Sequence, residues 1–372
     1  MKKRIAIWMH GGVGSGIYSQ GQPCIQKLVK RLAAHYTIDV YMQLPPNNDF
    51  LPEGFSLFSQ KPVARWGMLR WLYLFVVFYR NHQKEKYHLF YSFWGYPAGL
   101  IVVLLGKLFR RPSVIHLQGG DAAYLPSLGY GVFCHPLRRR LCVWAYSQCS
   151  CLIALTNYQI HFLRQFGVAR PIHIIPYGVD TELFRYHPHR SHQSVIRCLH
   201  VGNQTPVKDQ ETLLYAFALL ISKIPACLNF VGADFNNGRL NVLCISLGIE
   251  SNVKFLGAQP YHDLPKYYHE SDILIHTSLY EGQGLVFTEA AACGTLIAGT
   301  GVGILADMGE ECGIITPKGD AEKLANKIIE VIQSPVRVIA MKTAARKWAV
   351  EKNENYSVNR IVEELNKHLH KS

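Results

Sequence analysis

The stretch "DILIHTSLYEGQGLVFTEAAACGTLIAGT", residues 272–300, shows most clearly which fold this chain adopts. Its two ends, "DILIHTS" and "TLIAGT", are short apolar runs typical of buried strands. Between them, the apolar and alanine-rich segment "LVFTEAAAC" favours a short helix, which Gly294 would end as its C-cap. A strand, a helix and another strand in this order predict part of a parallel α/β sheet.

The same alternation of strands and helices runs through both halves of the chain. The first half contains the apolar runs "RIAIWM", "TIDVYMQL", "LFYSFW", "SVIHLQ", "CLIAL" and "HIIPY", and the rhythm restarts at "IRCLHVGN". The segment between the halves, "DTELFRYHPHRSHQS" (180–194), is polar and rich in histidine, as expected of a linker. We therefore predict two Rossmann-like domains with doubly wound parallel sheets, residues 1–185 and 195–355. A ligand is expected in a central cleft that the carboxyl ends of both sheets face.

The composition is that of a globular chain long enough for two such domains. Of the 372 residues, 49% are apolar and 17% are charged. The ten cysteines include no Cys-x-x-Cys pair and most have apolar neighbours, which favours reduced thiols in a cytosolic protein over disulfides or a zinc site. The first apolar run stops at His10 and enters a glycine-rich loop, so we interpret it as a strand and not as an export signal.

The positive charge is concentrated in the first half of the chain. Residues 1–180 carry 20 Lys and Arg against 6 Asp and Glu, a formal balance of +14, whereas residues 181–372 carry 19 against 20. No helix-turn-helix, zinc-finger or RNP-like pattern supports nucleic-acid binding. The basic residues instead flank aromatic stretches such as "RWGMLRWLYLFVVFYR" (65–80), whose uninterrupted apolar runs are too short to span a bilayer.

These basic and aromatic stretches predict a surface that lies on anionic lipid headgroups. The basic candidates are Arg65, Arg70, Arg80, Arg138, Arg139 and Arg140, and the aromatic residues interleaved with them include Trp71, Tyr73, Phe75 and Trp144. The alternative is that the stretches are buried helices whose arginines extend to the surface.

A glycine-rich loop, "MHGGVGSG" (9–16), follows the first predicted strand. Gly12 and Gly14 lie where backbone N–H groups can face a phosphate, although a simple tight turn is the alternative. The dinucleotide fingerprint Gly-x-Gly-x-x-Gly is not matched, and Asp39 lies inside the second strand and not at its end. A dehydrogenase is therefore disfavoured.

Two carboxylates, Glu281 and Glu289, lie on either side of the start of the predicted helix in residues 285–293. Carboxylates bind phosphate poorly but accept hydrogen bonds from vicinal hydroxyls, whereas a helix N-terminus suits phosphate. Gly282 and Gly284 would let a ligand approach the backbone closely. The loop is thus suited to a sugar nucleotide, with hydroxyls at both ends and a diphosphate between them; the alternative is a pair of solvated surface charges.

Four segments together resemble the retaining GT-B glycosyltransferases of family GT4, also called glycosyltransferase group 1. "SLYEGQGLVFTEAAACGTLIAG" is similar to the Glu-x7-Glu motif of that family, and "VGNQTPVKD" (201–209) to its phosphate-binding segment. "IIPYGVDTELF" (174–184) resembles the inter-domain signature, and "GIITPKGDAEKLANKI" (313–328) the C-terminal pattern. The resemblance is dense over residues 200–330 and rests mainly on the glycine-rich loop and strand order in the first half.

The resemblance implies how a nucleotide-sugar donor is bound. Glu289 would accept the ribose hydroxyls, and Glu281 would contact hydroxyls of the donor hexose. Gly284 and Leu285 would offer backbone amides to the diphosphate, and Lys208 would neutralise its charge. No Asp-x-Asp occurs, so neither a divalent metal nor another cofactor is implied.

The chain departs from the family pattern at three positions. Asp307 stands where the family often has glutamate, and is the shorter carboxylate. Asn203 replaces the usual arginine and would give the leaving pyrophosphate a weaker donor. Gln118 lies where many members carry an acceptor-side histidine; it can position a sugar but cannot act as a base. Nearby, His116 is a core or acceptor-side histidine, and Asp121 an acceptor contact or a helix cap.

From this resemblance we expect a cytosolic retaining glycosyltransferase on the inner face of a membrane. It would move a hexose from a nucleotide sugar to a lipid-linked glycan in polysaccharide or glycolipid biosynthesis, and its C-terminal helix (356–372) would pack back on the first domain. Two alternatives are a sugar-nucleotide epimerase of similar fold and a non-catalytic sugar-nucleotide binder, which Asn203 and Gln118 favour. The donor base, the sugar, the acceptor, the linkage and the oligomeric state do not follow from the sequence.

Overall fold

The computed structural model describes residues 2–19, 21–59, 67–187 and 195–370. The chain divides into two compact units, one formed by Met1–Pro176 with Asn355–Ser372 and the other by Tyr177–Glu354. Arg65 and residues 188–194 of the predicted linker lie outside the described residues, as does the side chain of Arg70. Each unit is an α/β structure with one parallel sheet, which confirms the predicted fold class.

The sheet of the first unit has seven strands in the order β3-β2-β1-β4-β5-β6-β7. All its paired strands are parallel. The strands are β1 Arg4–Met9, β2 Thr37–Met42, β3 Ser56–Ser59, β4 Leu89–Phe93, β5 Ser113–His116, β6 Cys151–Ala154 and β7 His173–Ile174. Short β3 was not predicted, since its four residues "SLFS" show only a weak apolar signal.

Helices connect the strands of the first unit and cover its sheet. They are α1 Pro23–Leu32, α2 Gly67–Lys84, α3 Leu100–Phe109, α4 Pro136–Gln148 and α5 Asn157–Gln165. The rings of Phe78 on α2 and Phe109 on α3 lie 5.9 Å apart, and Lys107 Nζ on α3 donates to Gln148 Oε1 on α4 at 2.7 Å. Thus α2, α3 and α4 lie side by side in one layer.

The sheet of the second unit has six strands in the order β10-β9-β8-β11-β12-β13, again all parallel. The strands are β8 Ile196–Val201, β9 Ala226–Val231, β10 Val253–Phe255, β11 Ile273–His276, β12 Leu296–Thr300 and β13 Ile314–Thr316. The helices are α6 Gln210–Ile221, α7 Arg239–Ser246, α8 Leu264–His269, α9 Leu285–Cys293, α10 Gly303–Met308, α11 Ala321–Ile332 and α12 Pro335–Glu351.

The order of the second sheet fixes where a ligand can enter. From β8 the chain moves one way, to β9 and β10, and from β11 it moves the other way, to β12 and β13. The helices after β8 and β11 therefore leave on opposite faces, which opens a crevice between the carboxyl ends of these two strands. This switch point brings together the loops that carry Lys208 and Glu281.

The last helix, α13 Glu354–Leu369, packs in the first unit almost throughout. Tyr36 Oη donates to Asn366 Oδ1 at 2.9 Å, and Ser357 Oγ donates to the carbonyl of Pro176 at 2.6 Å. The buried Glu364 carboxylate lies 3.3 Å from His173 Nδ1 and 2.7 Å from Lys367 Nζ. These polar contacts fix the helix against strand β7 and the turn between α1 and β2.

The ten cysteines all lie within the described residues and are free thiols, seven of them buried. Among the helices in the described ranges, none combines the length and apolar character needed to cross a bilayer.

Candidate functional site

The switch point of the second sheet contains a partly buried ion pair between Lys208 and Glu281. Lys208 follows β8 in a short 3-10 turn, and Glu281 lies in the loop between β11 and α9. The Lys208 Nζ atom lies 2.5 Å from Glu281 Oε1, and only 23% and 12% of the two side chains are exposed. The structure therefore brings together two residues that the sequence predicted for the donor hexose and its diphosphate.

Glu281 Oε1 accepts from two further side chains. Ser278 Oγ donates to it at 2.7 Å, and His276 Nε2 lies at 3.0 Å. Glu281 Oε2 accepts no hydrogen bond from any residue in the described part of the chain. The carboxylate is thus held through one oxygen, while the other remains available to a hydroxyl donor.

The charges around Glu281 keep it ionised. Burial alone would raise the pKa of its carboxyl, but the Lys208 ammonium and the hydrogen bond from His276 hold that pKa well below its usual range. Burial lowers the pKa of His276, and this effect, to which the nearby Lys208 adds, outweighs the rise caused by the hydrogen bond to Glu281. At neutral pH the network is therefore a carboxylate and an ammonium beside a neutral imidazole.

Glycines bring the backbone of the same loop close to its neighbours. Gly284, with φ +82°, is the N-cap of α9, and a Cβ there would approach the Phe287 ring to 2.9 Å. Gly303, with φ +54°, has no room for a Cβ because Gln283 O would lie 2.3 Å away. The Gln283 amide also exchanges two hydrogen bonds with the backbone of Tyr177, at 2.8 and 2.7 Å. These contacts set the N-terminus of α9 beside Glu281.

Glu289 lies within α9 and is 3% exposed. Tyr268 Oη donates to its Oε2 at 2.7 Å, and burial together with this carboxylate raises the pKa of Tyr268 well above its usual value. The sequence did not reveal Tyr268 as a partner, because it lies on α8, 21 residues earlier. The ribose contact proposed for Glu289 would have to share the carboxylate with this phenol.

Asn203, which replaces the family arginine, links two adjacent loops. Its side-chain Oδ1 accepts from the backbone N–H of Ala233 at 3.0 Å, and its backbone carbonyl accepts from Gln210 Nε2 at 3.0 Å. The side chain therefore joins the end of β8 to the end of β9. It does not offer the forked, charged donor that an arginine would place near a phosphate.

The predicted acceptor-side residues cluster at the end of β5 in the first unit. Gln118 is 5% exposed, its Nε2 donates to the carbonyl of His116 at 3.2 Å, and its own carbonyl accepts from Gln159 at 2.6 Å. His116 is fully buried, its Nδ1 lies 2.7 Å from Tyr91 Oη, and burial lowers its pKa to about 3. Its geometry is that of a core histidine.

Asp121 is a buried carboxylate that caps a turn. It accepts from the backbone N–H of Gln118 at 2.7 Å and also from those of Gly95 and Tyr96. Burial raises the pKa of Asp121 to about 6, although these three donors oppose the rise. Of the two roles left open by the sequence, the cap is the one present, and it positions Gln118.

Asp121→Asn should lower the free energy of unfolding by about 1–3 kcal/mol, because an amide turns a donor toward N–H groups that need an acceptor. Urea denaturation of this variant, with the partly exposed Asp263→Asn as a control, measures the effect. Equal stability of Asp121→Asn and wild type would show that the cap is not needed.

The glycine-rich loop after β1 is closely packed. A Cβ on Gly14, with φ +60°, would clash with the Phe50 ring at 2.1 Å, and the Gly14 N–H donates to Gln26 Oε1 at 3.0 Å. At Gly12, with φ +106°, a Cβ would approach the Trp94 ring to 3.1 Å. These packing requirements explain why both positions are glycine. Contact of Gly12 and Gly14 with the nucleotide-sugar donor stays a prediction.

Comparison with known families accounts for most of the chain. Residues 187–348 match the family "Glycosyl transferases group 1", and residues 23–183 match "Glycosyltransferase Family 4". The two matches are consecutive and each falls largely within one of the two units.

Two relatives of this chain are both named as mannosyltransferases. A GDP-mannose-dependent monoacylated alpha-(1-6)-phosphatidylinositol monomannoside mannosyltransferase of Corynebacterium glutamicum is 29% identical over 52% of this chain and 56% of its own length. A GDP-mannose-dependent alpha-(1-6)-phosphatidylinositol monomannoside mannosyltransferase of Mycolicibacterium smegmatis is 26% identical over 69% of this chain and 71% of its own. The chain thus spans little more than half the length of the first relative.

Among solved structures, sucrose-phosphate synthase from Thermosynechococcus elongatus is similar over the whole of both chains. The TM-score is 0.82 at 21% sequence identity, a likeness that concerns the fold. The family matches, the relatives and this likeness agree with the two parallel sheets and the Glu-x7-Glu loop described above. The chain belongs to the group 1, family GT4 glycosyltransferases: it is a glycosyltransferase with the GT-B fold.

Proposed function

We propose that this glycosyltransferase transfers a hexose from a nucleoside-diphosphate sugar to a membrane glycolipid, with retention of the anomeric configuration. The observation that carries the proposal is the Lys208–Glu281 pair at the switch point of the second sheet. A cation, a carboxylate with an available oxygen and the N-terminus of α9 lie close together at this point, although Lys208 and Glu281 belong to different loops. These groups match a diphosphate and a sugar hydroxyl.

In this proposal, charge stabilisation provides most of the catalysis. Lys208 and the amides of Gly284 and Leu285 would hold the negative charge that develops on the leaving diphosphate. Glu281 Oε2 would orient the hexose, and Glu289 would accept from the ribose. Gln118 cannot take a proton and Asp121 is occupied by backbone amides, which supports a mechanism in which the leaving phosphate accepts the proton of the incoming hydroxyl.

The relatives suggest which donor to test first. Both are named for GDP-mannose and for phosphatidylinositol mannosides, so a GDP-sugar and a lipid acceptor are the first candidates. Thermal unfolding in the presence of UDP-, GDP- and ADP-sugars measures selectivity, since a ligand that binds only the folded state raises Tm. We expect one nucleotide series to raise Tm. A chain that no nucleotide sugar stabilises would contradict the proposal.

The outer surface of α2, α3 and α4 supports contact with a membrane. It exposes the apolar side chains of Leu72, Tyr73, Val76, Tyr79, Leu104, Leu108, Leu137 and Trp144. Arg80, Arg110 and Arg140 are exposed on the same three helices or at their ends. Trp71 and Phe75, by contrast, pack against Trp8 in the core, so only part of the predicted aromatic set is available to lipid.

Reversal of Arg80, Arg110 and Arg140 to Glu should release the protein from anionic vesicles. Each basic residue contributes about 1 kcal/mol near such a surface, so binding should weaken by roughly 100-fold or more. Vesicle flotation at low salt measures this, with exposed Lys223, Lys254 and Lys323 of the second unit reversed as the matched control. If the wild-type protein floated equally well with neutral and anionic vesicles, at low and at high salt, electrostatic docking would be contradicted.

A further inference from the structure

Two buried histidines of the second unit stack next to the Lys208–Glu281 pair. His200 at the end of β8 and His276 at the end of β11 have ring centroids 5.0 Å apart and planes inclined by 10°. Both side chains are fully buried. The resemblance to the family predicted no role for either residue, and neither was a candidate from the sequence.

The hydrogen bonds fix the protonation of His200. Its Nδ1 lies 3.0 Å from the carbonyl oxygen of Ile275, which can only accept, so Nδ1 carries the proton. Its Nε2 then accepts from Gln210 Nε2 at 3.2 Å. His200 is therefore a neutral ring whose two nitrogens both have hydrogen-bond partners. It is held in place and supports the His276 ring that stacks on it.

His276 must carry its proton on Nε2. This atom lies 3.0 Å from Glu281 Oε1, which only accepts, and 2.9 Å from Ser278 Oγ. Nδ1 is then a buried acceptor, and it has no hydrogen-bond partner among the residues that the structure describes. An apolar side chain would avoid this unsatisfied atom, so stability alone does not explain a histidine here.

The ring orients Glu281 without neutralising it. Lys208 and His276 meet the same carboxylate oxygen, but only Lys208 brings a charge, since burial keeps His276 neutral. If the Lys208 ammonium turned toward a diphosphate, Ser278 and His276 would still hold Oε1. The orientation of Oε2 would then be preserved.

We infer that His276, supported by His200, is a positioning residue that keeps Glu281 directed at the donor hexose whether or not Lys208 stays paired with it. This inference rests on the proposed function, in which Glu281 contacts the hexose and Lys208 the diphosphate. The groups that face His276 are His200 on β8, Lys208 after β8, and Ser278 and Glu281 after β11. The role is specific to the donor sugar and does not involve the nucleotide.

The test compares His276→Leu with His276→Gln, whose amide can replace the Nε2–H donor. For His276→Leu we expect kcat with the donor that the thermal panel selects, GDP-mannose being the first candidate, to fall about 10- to 100-fold, as for a misplaced catalytic group, while the Kd for the corresponding nucleoside diphosphate stays unchanged. Its Tm should stay at or above that of the wild type, because the unsatisfied Nδ1 is gone. His276→Gln should recover most of the activity.

Two outcomes would overturn the inference: full activity of His276→Leu, or equal losses in the Leu and Gln variants. If His276→Leu fails to fold, His200→Phe provides the second test, since it keeps the stacked ring but removes its hydrogen bonds. We expect this variant to lose part of kcat and to bind GDP normally. Should wild-type protein bind neither GDP-mannose nor any other nucleotide sugar in the panel, the proposed function itself fails, which is a distinguishable result.

Discussion

Lys208→Met should weaken the binding of the nucleoside diphosphate about 10- to 100-fold, the scale of one lost charged hydrogen bond. It should also lower kcat/KM for sugar transfer by a further 100- to 1000-fold or so, because the charge on the leaving diphosphate grows in the transition state. Methionine is an unbranched side chain of nearly the same length, and it lacks the charge and the hydrogen-bond donors of the ammonium. Calorimetry with GDP, the nucleotide of the first donor candidate, and steady-state kinetics would measure the two effects separately; if the thermal panel selects another donor, its nucleoside diphosphate replaces GDP here and below.

The same substitution leaves Glu281 without its cation. Ser278 and His276 still donate to the carboxylate, so we expect a stable protein with a raised Glu281 pKa. Lys223→Met, at an exposed position just after α6, is the matched control and should bind GDP normally. Unchanged GDP affinity in Lys208→Met would show that Lys208 serves only as the structural partner of Glu281.

Glu281→Ala and Glu289→Ala should fail in different ways. Glu289→Ala should weaken binding of the free nucleoside diphosphate by about 1–3 kcal/mol, since the ribose loses its acceptor. Glu281→Ala should leave that affinity intact or increased, because Lys208 becomes fully available, yet it should lose sugar-dependent turnover. Calorimetry with GDP and assays with GDP-mannose separate the two.

A further variant controls for the structural role of Glu289. Because Tyr268 Oη donates to this carboxylate, Glu289→Ala also leaves a buried phenol unpaired. Tyr268→Phe removes the phenol alone and should keep GDP affinity. Equal GDP affinity in the two glutamate variants would contradict the assigned roles, and a loss in Tyr268→Phe as large as in Glu289→Ala would make the Glu289 effect structural.

The fold followed from the sequence because its strands are short, apolar and regularly separated by helices. The predicted run "RIAIWM" coincides with β1 at Arg4–Met9, and "LVFTEAAAC" coincides with α9 at Leu285–Cys293. Helix α12, Pro335–Glu351, was not predicted, and its apolar residues show little clustering on one face. Local periodicity therefore identified the strands and helices whose apolar residues pack against one sheet. It missed α12, whose apolar residues are not confined to one face.

Sequence motifs predicted the main residues of the site but not the contacts between them. Glu281, Glu289 and Lys208 came from quoted segments, but the ion pair joins residues 73 positions apart in the chain and depends on the neighbouring of β8 and β11. His276 is the last residue of the apolar strand β11, so its local sequence indicates a core residue; the role proposed for it depends on its contact with Glu281 Oε1. Asp121 could not be assigned until its three backbone donors were located.

The proposed reaction is the transfer of a hexose from a nucleoside-diphosphate sugar to a lipid acceptor, with retention. The most direct measurement follows nucleoside diphosphate release from the donor that the thermal panel selects, with and without a glycolipid extract, and determines the anomeric configuration of the product by NMR. We expect release to require the lipid, the product to keep the configuration of the donor, and Glu281→Ala to abolish both. Release indifferent to lipid, an inverted product, or an epimerised nucleotide sugar without release would each contradict this account.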